Sequence, residues 1–163
     1  MATWVLTGGI ENFRIYVERG FDVIGFKERR RNQALEFEPG DEIVFYVTKF
    51  QGPDKEPLGQ AFGAIARVTS DMFEDRTPIW PQGRKKYPEE YPWRVEAEPV
   101  IVLEEREFVP VESLLDDLEH VQRWPRENWH LAFQGQLRTI SDADADLIRE
   151  RMHAAAGTAA HTG

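Results

Sequence analysis

Cysteine is absent from the sequence, which excludes a disulfide framework and any thiolate nucleophile or ligand. Histidine is scarce. His120, His130, His153 and His161 are the only four, and none stands at the short spacing that brings two imidazoles onto one metal ion. Long apolar runs are missing as well. No segment approaches the roughly 20 apolar residues needed to span a bilayer. The first residues, MATWVLTGG, lack a basic start followed by an apolar stretch. The chain is therefore expected in a reducing cytoplasm, with no membrane partner. The glycine patterns GxGxxG and GxxxxGKS/T do not occur, and neither does GxSxG. Adjacent carboxylates such as Glu104/Glu105 and Asp116/Asp117 are ordinary surface features. Nothing proposes a nucleophile, and no metal or cofactor is expected.

What is present is a globular composition, 41% hydrophobic and 12% aromatic in 163 residues, enough for one domain with a buried core. The net charge of −9 is regional. Residues 87–120 hold 2 basic and 11 acidic side chains, whereas residues 1–86 hold 13 of each. Against that background GFDVIGFKERRR stands out, with Lys27, Arg29, Arg30 and Arg31 following an apolar run broken by Gly25. A second basic cluster, Arg84, Lys85 and Lys86, lies in a long polar loop over 71–90. Long loops of this kind are often functional.

Patterning predicts strands at 2–6, 21–26, 42–50, 60–70 and 93–103, with Pro99 marking a bulge or edge. Segments 42–50 and 60–70 are joined by one Gly/Pro-rich loop and should pair antiparallel. Glu38-Pro39-Gly40-Asp41 suits a type II turn. Asn12 is placed to N-cap a short helix that Gly20 stops. Val111, Leu114, Leu115, Leu118 and Val121 recur at helical spacing, and Ser141 with Asp144 resembles a capping box. Strands first and helices later predict an α+β fold with a curled sheet.

The order of several stretches resembles the EVE domain family, a PUA-like fold related to YTH domains. They are TWVLTGGIENF, GFDVIGFKE, EPGDEIVFYV, FGAIARVTS, TPIW, YPWRVEAEPVIVL and QLRTISDADADLIRERM. The resemblance covers about residues 2–152. It implies one domain over 1–152, and the small, polar composition of the last residues predicts a frayed tail over 153–163. The resemblance also implies a mostly antiparallel β-barrel with peripheral helices that recognises a modified base in DNA or RNA without catalysis. Asn12 matches a polar position near the base edge. Trp80 of TPIW matches a tryptophan of the aromatic cage in YTH domains. The second cage tryptophan of that family falls in GFDVIGFKE, where this chain has Ile24 and Phe26 instead.

A flipped base needs flat apolar walls and hydrogen-bonding groups on its edge. The expected base-binding set is Thr7, Gly8, Asn12, Ile24, Gly25, Phe26, Lys27 and Trp80. Arg29, Arg30, Arg31, Arg84, Lys85 and Lys86 are expected to take phosphates. Several have ordinary alternatives: Trp80 as a loop residue folded over the core, Phe26 as plain core, Asn12 as a cap alone, Thr7 and Gly8 as part of an ordinary strand-to-helix loop, the cations as two separate solvated clusters. Two other function classes remain open. The related ASCH domains include hydrolases, for which Lys27 and Glu28 would be the pair to test. The acidic segment 87–120 could instead dock a protein partner.

Overall fold

The computed structural model of the chain describes residues 1–79, 91–135 and 137–157. Strand β1 (Thr3–Gly8) leads into helix α1 (Ile10–Arg19). The helix stops at Gly20, whose φ of 69° is left-handed and whose N–H returns to the carbonyls of Tyr16 and Val17. Strand β2 (Val23–Phe26), a 3₁₀ turn (Glu28–Arg30) and the short helix α2 (Arg31–Ala34) follow. The predicted turn at 38–41 closes with the Asp41 N–H on the Glu38 carbonyl at 3.0 Å. Strands β3 (Glu42–Val47) and β6 (Ala61–Val68) flank a hairpin of β4 (Phe50–Gln51) and β5 (Pro57–Leu58). Strands β7 (Phe73–Glu74), β8 (Trp93–Val102), β9 (Val109–Pro110) and β10 (Leu137–Ile140) complete the sheet, and helix α3 (Asp142–Ala155) ends the description.

The main sheet runs β10-β1-β3-β6-β8-β2. Strands β1 and β3 are parallel, and every other pairing among the described residues is antiparallel. A parallel pair needs a crossover, which α1, β2 and α2 supply. The predicted β3–β6 pair is present and antiparallel, from Glu42↔Arg67 to Val47↔Ala61. Strand β8 curls the sheet. Its first half pairs with β2 and its second half with β6. Between them Ile65 faces Ile101 while Ala66 faces Pro99, so Val100 is the extra residue of a bulge. The result is a half-barrel. The segment that follows β2 reaches the β10 edge: Arg30 of the 3₁₀ turn donates to the Gly135 carbonyl just before β10, and Gln33 Nε2 of α2 donates to the Leu137 carbonyl at 2.8 Å.

Phe13 and Phe21 meet the Phe45 ring edge to face, at 6.4 and 5.1 Å, which anchors α1 to β3. Helix α3 buries Ala145, Ile148 and Met152 and extends three residues past 152. Two local expectations are corrected. The helix expected over 111–121 is instead two 3₁₀ turns, Val111–Leu114 and Glu119–Val121. Val111, Leu114, Leu118 and Val121 are still buried, and Leu115 is half-buried. The Asp144 carboxylate takes the N–H groups of Glu119 and His120 at 2.8 and 2.9 Å, which starts a fresh turn there. Ser141 Oγ does accept the Asp144 N–H at 3.2 Å, but Asp144 is committed to that turn rather than to a reciprocal box.

Candidate nucleic-acid interface

A cavity of about 330 Å³ lies between β1, β2 and β3, beside α1. Thr7 and Gly8 come to it from β1, Asn12, Phe13 and Tyr16 from one face of α1, and Gly25, Phe26 and Lys27 from β2 and its exit. Phe45 and Tyr46 of β3 and Tyr91 complete an aromatic lining. Each wall is fixed from behind. Tyr46 stacks on Phe133 at 4.5 Å and 5°, and Phe26 stacks on Phe37 at 5.1 Å and 24°. The Thr7 hydroxyl donates to the Phe133 carbonyl at 2.7 Å.

The two glycines act in opposite ways. A Cβ on Gly8 would meet nothing within 4 Å, so that position faces open space. A Cβ on Gly25 would stand 2.7 Å from Ile79 Cδ1 and 2.9 Å from Tyr91 Cβ. Glycine at 25 is what lets the Tyr91 segment lie against β2. Arg94, opposite Gly25 in the ladder, holds that segment. Buried to 4% exposure, it donates through Nε to the Tyr91 carbonyl at 2.9 Å, and it also donates to the Thr77 carbonyl and hydroxyl. Asp75 lies 3.4 Å from Arg94 Nη1. Its carboxyl is held below the usual range by the Thr77 N–H and hydroxyl first, with Arg94 adding to it.

The lining is neutral inside and cationic at the rim. Burial pushes the Tyr16 phenol well above its ordinary value, and burial pushes Tyr46 up to about 12. Lys27 Nζ sits 5.9 Å from the centre of the Tyr91 ring, within cation–π range. Arg29 and Arg30 also line the cavity. Burial lowers the Arg30 pKa, and the charges of Arg29 and Arg138 lower it further.

Eight of the expected residues meet here: Thr7, Gly8, Asn12, Gly25, Phe26, Lys27, Arg29 and Arg30. Ile24 does not. It is fully buried and points away from Gly25, as strand alternation requires. Arg31 lies 4.9 Å over the Trp93 ring instead of on the cavity. Asn12 is not the cap. Gly8 stays in β1 by pairing with Val47, so the helix begins at Ile10 with Gly9 as N-cap. Trp80, Arg84, Lys85 and Lys86 lie outside the described residues. Glu28 accepts the Trp93 indole N–H at 3.0 Å and faces Arg76 at 3.7 Å. It does not line the cavity, so no Lys27–Glu28 pair is assembled there. Acidic residues of 87–120 are met within the chain, Glu105 by Arg14 at 2.6 Å and Glu98 by Arg67 at 3.1 Å. Tyr46 and Arg138 escaped sequence reasoning. Tyr16 did not have to, since it follows Asn12 by four residues on one helix face.

The EVE domain model matches residues 4–151. The chain belongs to the EVE domain family. This EVE domain is 32% identical over 160 residues to a UPF0310 protein of Mycolicibacterium vanbaalenii, covering 93% of each chain. It is 29% identical over 148 residues to a UPF0310 protein of Pyrococcus abyssi, covering 91% of this chain and 97% of that one. Among solved structures it resembles the human THYN1 protein in complex with 5-methylcytosine containing DNA. That match has a TM-score of 0.53 at 13% identity and covers 93% and 98% of the two chains. It also resembles the YTH domain of Zygosaccharomyces rouxii MRB1 in complex with N6-methyladenosine RNA. There the TM-score is 0.57 at 14% identity, covering 92% and 86%. The fold is therefore PUA-like, of the α+β class, with a mostly antiparallel curled sheet. No helix among the described residues is long and apolar enough to cross a membrane.

Proposed function

We propose that the cavity receives one modified nucleobase turned out of a DNA or RNA strand, and that the domain reads the base without catalysis. One observation carries this reading: aromatic walls, strand-edge backbone groups and three cations converge on a single cavity. Its volume falls at the low end of the about 300–1,000 Å³ of small-molecule pockets, which suits a base rather than a whole nucleotide. Stacking contributes about 1–3 kcal/mol per base on an aromatic face. The β2 edge supplies the polar edge contacts. The Ala97 N–H donates to the Asp22 carbonyl at 2.9 Å, so alternation turns the N–H and C=O of Gly25 away from β8. The N–H is taken by Tyr16, and the carbonyl on the same side suits an exocyclic amino group. Asn12 also lines the cavity, and its amide carries both donor and acceptor atoms. The fold shared with a DNA-bound and an RNA-bound neighbour, each carrying a methylated base, supports the substrate class.

Lys27, Arg29 and Arg30 at the rim would meet backbone phosphates, which position a strand without reading it. The test is a titration of 5-methylcytidine, N6-methyladenosine and their unmodified parents against the wild type and Gly8→Val. A modified nucleoside should bind the wild type above its parent and should not bind the variant. Equal binding of all four, or of none, contradicts the reading.

A further inference from the structure

A second concavity of about 570 Å³ runs along the outer edge of β10. Leu137 lines both it and the first cavity, so the two adjoin at one residue. Arg138 follows Leu137 and lines the second concavity, while Arg30 lines the first and reaches across to the Gly135 carbonyl. The boundary is therefore cationic. The Arg30 pKa is lowered by burial first, then by the charge of Arg29, and least by that of Arg138. The second concavity also carries the half-buried indole of Trp124.

We infer that the Arg30–Leu137–Arg138 ridge holds the phosphate next to the flipped nucleotide, and that the neighbouring base lies in the second concavity against Trp124. This rests on the first cavity being a base pocket. The concavity takes one nucleotide and not a run of them. Glu36 and Glu119 also line it and offset Arg123 and Arg138, so it does not attract a long polyanion. The Asp144 carboxylate there is already used by two N–H groups. A single phosphodiester on the ridge and a neutral base on an aromatic face match this charge pattern.

The test titrates nucleosides bearing 5-methylcytosine and N6-methyladenine, then dinucleotides with the neighbour on the 5′ or the 3′ side, then heptanucleotides. Wild type, Arg138→Gln and Trp124→Leu are compared. For the nucleoside that binds, one of its two dinucleotides should bind about 5- to 20-fold tighter, in line with one stacked base. Each variant should lose most of that gain and leave the nucleoside Kd unchanged. Arg138→Gln should also lower the slope of log K against log salt by about 0.7. Arg138 is exposed, so its variant keeps the test valid if Trp124→Leu proves unstable. The inference is overturned if both dinucleotides match the nucleoside, or if the gain survives Arg138→Gln. Those outcomes leave the base pocket standing. Failure of every nucleoside to bind removes the pocket, and this inference with it.

Discussion

The phenolic oxygen of Tyr16 accepts the N–H of Gly25 at 3.2 Å, tying helix α1 to the open edge of β2 beside the cavity. Removing it with Tyr16→Phe leaves a buried N–H without its acceptor. A stability loss of about 1–3 kcal/mol follows, to be measured by urea denaturation. Because the same bond sets the position of the β2 edge, nucleoside affinity should fall as well. Unchanged stability and unchanged affinity together would mean that the bond does not organise the site.

Gly8 and Gly25 allow a paired comparison. Gly8→Val adds a β-branched side chain in a strand, into open space. The melting temperature should stay within a few degrees while nucleoside binding is lost. Gly25→Ala drives a methyl group against Ile79 and Tyr91 and should cost about 1–3 kcal/mol through overpacking. A stable Gly25→Ala with full binding would show that the Tyr91 segment does not need its close approach.

Arg94 is a buried charge with several acceptors, and their loss should be felt at once. Arg94→Met strands the carbonyls of Thr77 and Tyr91 and leaves Asp75 without its buried cation. A loss of about 1–3 kcal/mol in thermal or urea unfolding is expected from the hydrogen bonds lost. A loss below about 0.5 kcal/mol would mean that the clamp on the Tyr91 segment is replaceable by water.

Alkaline pH should expose the buried phenols. Tyr16 and Tyr46 keep their protons in the folded chain above the ordinary value of 10.0. In that range the unfolded chain binds fewer protons than the folded one, so stability falls as pH rises. For Tyr46 the loss begins near pH 10 and is complete near 12. The melting temperature should decline over this window, and less steeply in Tyr46→Phe. Identical slopes for the two proteins would place the Tyr46 phenol in water.

Much of the fold was legible because its signals are local. The β-branched and aromatic run before the Gly/Pro loop announced β3 and β6, Pro99 announced the bulge, and Gly20 announced the end of α1. The misreadings came from partners distant in sequence. Asp144 turned an expected helix into 3₁₀ turns from 25 residues away. Val47 held Gly8 in the sheet and moved the cap from Asn12 to Gly9. The site divides in the same way. Thr7, Gly8, Asn12 and the 25–27 stretch lie in contiguous motifs. Tyr46 and Arg138 reach the cavity and its boundary only through strand pairing, which no local pattern reports.

The central claim is base recognition by the cavity, and its most direct measurement is a pair of affinities at one salt concentration. Two single-stranded oligonucleotides differing by one methyl group on one base are titrated, in a 5-methylcytosine pair and an N6-methyladenine pair. In one of the pairs the methylated strand should bind at least about 10-fold tighter, a difference of about 1.4 kcal/mol. Raising the salt should weaken both strands of that pair in parallel, because phosphate contacts carry no base identity. The ratio should collapse to one in Gly8→Val. Equal affinities within both pairs at every salt concentration, or a ratio that Gly8→Val leaves intact, would contradict the account.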